Sequence, residues 1–125
     1  MKLHTDERIR KEPVAAFLAN NSIDPANYGK YDVKRGLRNA DGTGVLAGLT
    51  NICNVHGYIM DEGEKQNIPG ELYFRGYNLN DIVRGVESSE RFGYEEVAYL
   101  LMLGKLPTAR GLASFNRVLS DNTEL

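Results

Sequence analysis

The chain has 125 residues, 42 % of them hydrophobic and 26 % charged, a balance that fits one globular domain and excludes a disordered tail. Its formal net charge of −2 argues against a nucleic-acid binder that relies on phosphate contacts. The longest apolar run, Val97 to Leu103, is far short of the ~20 residues that span a bilayer, and the charged N-terminus has no apolar signal core, so neither a membrane nor an exported protein is expected. A single cysteine, Cys53, allows no internal disulfide and no zinc framework, which makes the cytosol the default compartment.

In chain order, the first element is helical. Val14, Phe17 and Leu18 recur at i, i+3 and i+4, so they form one apolar stripe. Pro13 suits a first helical position and would split Asp6–Glu12 from Val14–Asn20. Asn20-Asn21-Ser22 reads as a stop, after which Asp24 as N-cap and Pro25 at the first helical position start a short turn carrying Tyr28 and Tyr31. The basic excess of residues 1–35 fits a solvated helical surface better than a binding tail, because like charges do not run together there.

Residues Arg35 to Gly44 make a polar, glycine-rich loop. Its glycines would let backbone amides approach a phosphate, but the spacing matches neither a Walker loop nor a dinucleotide fingerprint, and Asn and Asp-Gly are ordinary turn residues. Arg38 stands out as a fixed cation beside those backbone donors.

Ile52, Val55, Tyr58 and Ile59 are strand formers ending at Met60-Asp61-Glu62-Gly63, and Glu71–Arg75 forms a second run. With Lys65 to Gly70 taken as turn material, the pattern predicts an antiparallel hairpin or small sheet with a loop of several residues. Cys53 and His56 fall on opposite faces by alternation, so they form no shared metal or catalytic pair.

The last third is helical. Asn78 caps a helix with Leu79, Ile82 and Val83 on its apolar face, Asp81 in its first turn and Gly85 as its stop. Gly93 and Gly104 bracket Tyr94–Leu103, which is apolar nearly all round and is expected to be buried on most sides. Glu95 and Glu96 in its first turn suit the helix dipole rather than a catalytic dyad. Thr108 caps a final helix with Leu112, Phe115 and Leu119 toward the core. The chain thus divides into 1–35, a helical segment; 36–77, a loop and β-hairpin; and 78–125, a second helical segment. All three belong to one mainly α domain with a small antiparallel β element.

Acid–base catalysis needs a histidine, or a carboxylate in an apolar setting, beside the substrate. Only His4 and His56 are present, and no nucleophile elbow, metal cluster or nucleotide signature accompanies them. No catalytic residue and no metal ligand is assigned.

The order of motifs is more specific. Glu71-Leu72-Tyr73-Phe74-Arg75-Gly76-Tyr77-Asn78-Leu79-Asn80-Asp81-Ile82, followed by Tyr94-Glu95-Glu96-Val97-Ala98-Tyr99-Leu100-Leu101-Met102-Leu103-Gly104-Lys105-Leu106-Pro107-Thr108, resembles the N-terminal region of citrate synthases, and Gly36-Leu37-Arg38 resembles the segment that opens that family's β region. The resemblance implies the N-terminal part of the large domain of a mainly α homodimer. Such an enzyme condenses the methyl carbon of acetyl-CoA with the ketone of oxaloacetate and then hydrolyses the citryl thioester, with no permanently bound cofactor. The family's catalytic aspartate and two histidines lie beyond this stretch, so the 125-residue chain alone is expected to be inactive. One residue carries over: Arg38 corresponds to the arginine that contacts coenzyme A phosphate in animal-type enzymes, with pairing to a local carboxylate such as Asp41 as its other reading. A 2-methylcitrate synthase shares the same motifs, and a non-catalytic helical interaction module is the alternative of a different class.

Overall fold

The computed structural model describes residues 7–34, 36, 38, 39, 42 and 44–123, which form five helices and one three-stranded antiparallel sheet. The elements run α1 (Glu7–Asn20), α2 (Ala26–Lys30), β1 (Cys53–Asp61), β2 (Glu64–Phe74), β3 (Tyr77–Asn78), α3 (Leu79–Glu87), α4 (Tyr94–Leu103) and α5 (Ala109–Asp121). The expected mainly α architecture with a small antiparallel sheet is present.

α1 runs through Pro13 as one helix instead of splitting there. A proline inside a helix removes one ladder hydrogen bond, a loss that packing of α1 against α4 and α5 offsets. The packed face differs from the expected one as well. Pro13, Ala16 and Asn20 are half-buried, while Val14, Phe17 and Leu18 are exposed. The stripe at 13, 16 and 20 has helical spacing too, and it is the one that meets the neighbouring helices. In α2 the register moves by one residue. Pro25 has helical dihedrals but lies just before the element, and the Asp24 carboxylate accepts from Ala26 N at 2.9 Å, so Asp24 still caps the turn.

The sheet departs most from expectation. Lys65 to Gly70 is strand, not turn, and β1 joins β2 through the two-residue turn Glu62-Gly63. Both turn residues have positive φ, 47° and 87°, the geometry of a tight hairpin whose twist matches its strands and which favours glycine at the second place. Within that stretch, Pro69 and Gly70 fall where the register shifts between His56 and Tyr58. Proline donates no ladder bond, so an irregularity is where a strand tolerates it. A second two-residue turn, Arg75-Gly76 with φ 49° and 88°, adds the short β3, which the hairpin reading did not include.

Local capping follows the sequence closely. Asn78 Oδ1 accepts from Asn80 N at 2.9 Å, and Thr108 Oγ1 accepts from Gly111 N at 3.1 Å. Gly104 closes α4 at φ 80°, and a Cβ there would lie 2.7 Å from Asn20 Oδ1, so the corner needs glycine for both reasons. α3 does not stop at Gly85 but continues to Glu87, an interior glycine costing only about 1 kcal/mol.

The core is small: Ile82, Leu100, Leu103 and Phe115, with Tyr99 edge-on to Phe115 at 5.3 Å between ring centroids. α4 is covered on most sides, as expected: Leu100 and Leu103 are buried, residues 95–99 and Leu101 are half-buried, and two positions are exposed. Leu100 is 0 % exposed, but Met102 and Tyr94 face outward at 44 % and 78 %. On α3 and α5 the expected faces hold in part, since Ile82 and Phe115 are buried while Val83 and Leu119 are not. No helix among the described residues is long and apolar enough to cross a membrane.

Candidate functional site

Arg38 lies in the loop between α2 and β1, where it forms an antiparallel bridge with Gly44. Its Nη1 donates to Gly42 O at 2.8 Å, and Asn39 Nδ2 donates to Gly44 O at 3.3 Å, so the turn is closed by its own backbone carbonyls. The Arg38 side chain is exposed, and a guanidinium carries further N–H donors beyond the one used on Gly42 O. Asp41, the other proposed partner, lies outside the described residues. Below the turn, Lys34 N donates to Leu46 O at 2.9 Å and draws the two arms of the loop together.

The returning arm, residues 46–52, stands over a cleft of about 840 Å³ against the base of the sheet. Tyr31, Leu46 and Leu49 line one part of it, and His56, Tyr73 and Arg75 another. His56 Nε2 is 2.7 Å from Asn54 Nδ2, its ring meets Tyr73 edge-on at 5.7 Å, and Tyr73 donates its hydroxyl to Glu71 Oε2 at 2.8 Å. This is a cross-strand polar network on one sheet face, since Asn54 pairs with Tyr73 and His56 with Glu71. Asn54 and His56 share a face, which turns Cys53 to the other one, as the alternation required. His4 lies outside the described residues.

Glu95 and Glu96 do not converge with these groups. Glu96 is 3.2 Å from Arg91 Nη1 in an ion pair that braces the turn between α3 and α4. Among the described residues no group of three or more His, Cys, Asp or Glu is placed to hold a metal ion.

The residue that sequence reasoning passed over is Arg75. Its Nε and Nη2 donate to Leu101 O at 3.1 and 2.8 Å, and Nη2 also donates to Asn21 Oδ1 at 2.9 Å. Its Nη1 donates to Asn20 O at 2.9 Å and to Asn51 Oδ1 at 3.0 Å. One planar fork thereby joins the sheet turn to the last turns of α1 and α4 and to the start of β1. Both helices present carbonyls that lack intrahelical partners at these ends, along with the negative ends of their dipoles, so a cation is favoured between them. The signal in the sequence was an arginine, rather than glycine or asparagine, at the first place of a two-residue turn.

Two kinds of known protein are similar to this chain. The family described as citrate synthase, C-terminal domain, matches residues 37–125, more than half of it. A citrate synthase of Saccharolobus solfataricus is 34 % identical over 94 residues, covering 74 % of this chain and 19 % of that protein. The 2-methylcitrate synthase 2 of Corynebacterium glutamicum is 39 % identical over 85 residues, covering 68 % and 17 %. The matched stretch therefore spans under a fifth of either relative. No solved structure matches the chain.

Proposed function

The chain belongs to the citrate synthase family, and from that premise we propose that it is the early part of a synthase large domain, one structural unit built from segments 1–35, 36–77 and 78–125. The intact protein condenses acetyl-CoA with oxaloacetate as a cytosolic homodimer, at the entry to the tricarboxylic acid cycle, and holds no permanently bound cofactor. The observation that supports the reading is the order of the sheet turn, α3 and α4 in a chain whose described residues assemble no acid–base pair. A second reading, condensation of propionyl-CoA to 2-methylcitrate, is supported by the relative named 2-methylcitrate synthase 2. Comparing acetyl-CoA with propionyl-CoA as substrate of the intact protein separates the two.

The chain by itself should release no thiol from acetyl-CoA in the presence of oxaloacetate. The reaction needs a base, an acid and a carboxylate-binding cluster held together, and none of these converges among the described residues. Turnover above the buffer control that scales with protein would overturn the assignment of catalysis to residues outside the chain.

Within the intact protein, Arg38 supplies the contact to coenzyme A phosphate. Its exposed fork in a loop closed by backbone bonds suits a charge-assisted contact worth about 1.5–3 kcal/mol. Arg38→Ala should raise KM for acetyl-CoA about tenfold or more and leave that for oxaloacetate near its starting value. An equal change for both substrates, or none, assigns Arg38 to the local turn alone.

A further inference from the structure

We propose that Asn51 is the positioning residue for Arg38: it seats the coenzyme-facing loop on the body of the domain through Arg75. The proposal rests on the reading of Arg38 as a phosphate contact and adds the residue on which that contact depends.

The loop leaves the body after α2 and returns at β1. Its upper part holds itself, through the Arg38–Gly44 bridge and the bond from Arg38 Nη1 to Gly42 O. Its neck is drawn together by Lys34 N and Leu46 O. These bonds fix the shape of the loop but not its place. The returning arm lines the cleft and half-buries Leu49, Ile52 and the Val45 that leads into it. It is tied at its foot by Arg75 N, which donates to Ile52 O at 2.8 Å; the side-chain contacts of its last residues add to that single backbone bond.

Asn51 supplies those side-chain contacts with both ends of its amide. Nδ2 donates to Asn20 O at 3.3 Å, and Oδ1 accepts from Arg75 Nη1 at 3.0 Å. The same Arg75 nitrogen lies 3.5 Å from Asn51 O, so side chain and backbone of one residue share the anchor. Arg75 is itself fixed on α1 and α4 through Asn20 O, Asn21 Oδ1 and Leu101 O. The line of contact therefore runs from the helices through Arg75 to Asn51, and from there along the returning arm to Gly44 and Arg38. Asn21 takes the other terminal nitrogen of Arg75 and also donates to Met102 O at 3.0 Å; it touches no residue of the returning arm, and Arg75 keeps Asn20 O and Leu101 O without it. That division gives the test its control.

The experiment uses the full-length protein and four variants, with KM for acetyl-CoA, kcat, and the rate of trypsin cleavage after Arg38 as readouts. Asn51→Ala should raise KM for acetyl-CoA about two- to tenfold, the span of one lost hydrogen bond, with kcat unchanged and cleavage after Arg38 faster. Asn51→Asp keeps the acceptor for Arg75 and gives up only the longer bond to Asn20 O, so with the seat running through Arg75 it should stay near the parent KM. Asn21→Ala should lower the melting temperature without moving KM or the cleavage rate. Should Asn51→Ala not fold, Asn51→Ser, whose shorter hydroxyl cannot reach both partners, is read in its place against the same outcomes. If Arg38→Ala raises KM while Asn51→Ala does not, Arg38 needs no seat and this inference falls alone. If Asn21→Ala raises KM as much as Asn51→Ala, the effect is general loosening and the inference falls as well. If Arg38→Ala itself leaves KM unchanged, the coenzyme reading fails and takes this one with it.

Discussion

Replacing Arg75 with alanine should destabilise the chain by about 3–4 kcal/mol, near the upper end for a single substitution, and lower its melting temperature by roughly 10–15 °C. The guanidinium makes bonds to Asn20 O, Asn21 Oδ1, Asn51 Oδ1 and Leu101 O, each within 3.1 Å at its shortest. A hydrogen bond to a charged group contributes about 1.5–3 kcal/mol, but these share one half-buried side chain and do not add in full. Alanine would leave carbonyls at the ends of α1 and α4 without their cation, and it would inherit the left-handed backbone at φ 49°. Left-handed backbone costs a residue with a Cβ about 1–2 kcal/mol, so the arginine is held there by its side-chain bonds and not by turn propensity. Arg75→Lys should recover little, because an ammonium cannot reproduce a planar fork directed at three segments. Thermal unfolding followed by circular dichroism measures both. A lysine variant as stable as the parent would mean that charge alone, and not the fork, holds the corner.

The contrast between Arg75 and the helix caps explains which parts of the fold were legible in the sequence. Asn78, Thr108 and Gly104 act on backbone groups within four residues of themselves, so residue type and position were enough to assign them. Arg75 acts on partners 24 to 55 positions away, and no local pattern encodes that. The stretch from Lys65 to Gly70 was misread for a related reason. Pro69-Gly70 has turn chemistry, but pairing of β2 with β1 on either side carries it through as an irregularity in a strand. In α1 both stripes have helical spacing, and the one carrying Asn20 faces the neighbours, with Asn20 fitting beneath the glycine corner at Gly104. At the candidate site the sequence singles out Arg38 alone. The contacts that Asn51 and Arg75 make become visible once α1, α4 and the sheet turn are brought together.

The short core makes the second large effect. Leu100→Ala should cost about 3–4 kcal/mol, whereas Met102→Ala on the same helix should cost under about 1 kcal/mol. Leu100 is fully buried and Met102 is 44 % exposed, so only the first substitution leaves a cavity that the surrounding helices must collapse around or tolerate. Leucine, methionine and alanine all suit a helix interior, so propensity does not account for the difference. Urea unfolding measures both, and a shift of midpoint at unchanged slope identifies the loss as one of native stability. Equal losses would mean that Met102 is covered in solution, for instance by a second copy of the chain, and that α4 is buried on more sides than its neighbours here provide. The Leu100 effect should also couple to that of Arg75. Leu100 packs one residue before the carbonyl of Leu101 that Arg75 holds at 2.8 Å, so a cavity at Leu100 lets that carbonyl shift. The double variant should therefore lose less than the sum of its parts, by about 0.5 kcal/mol or more. Strict additivity would separate the apolar core from the polar corner and leave each to stabilise its own part of the fold.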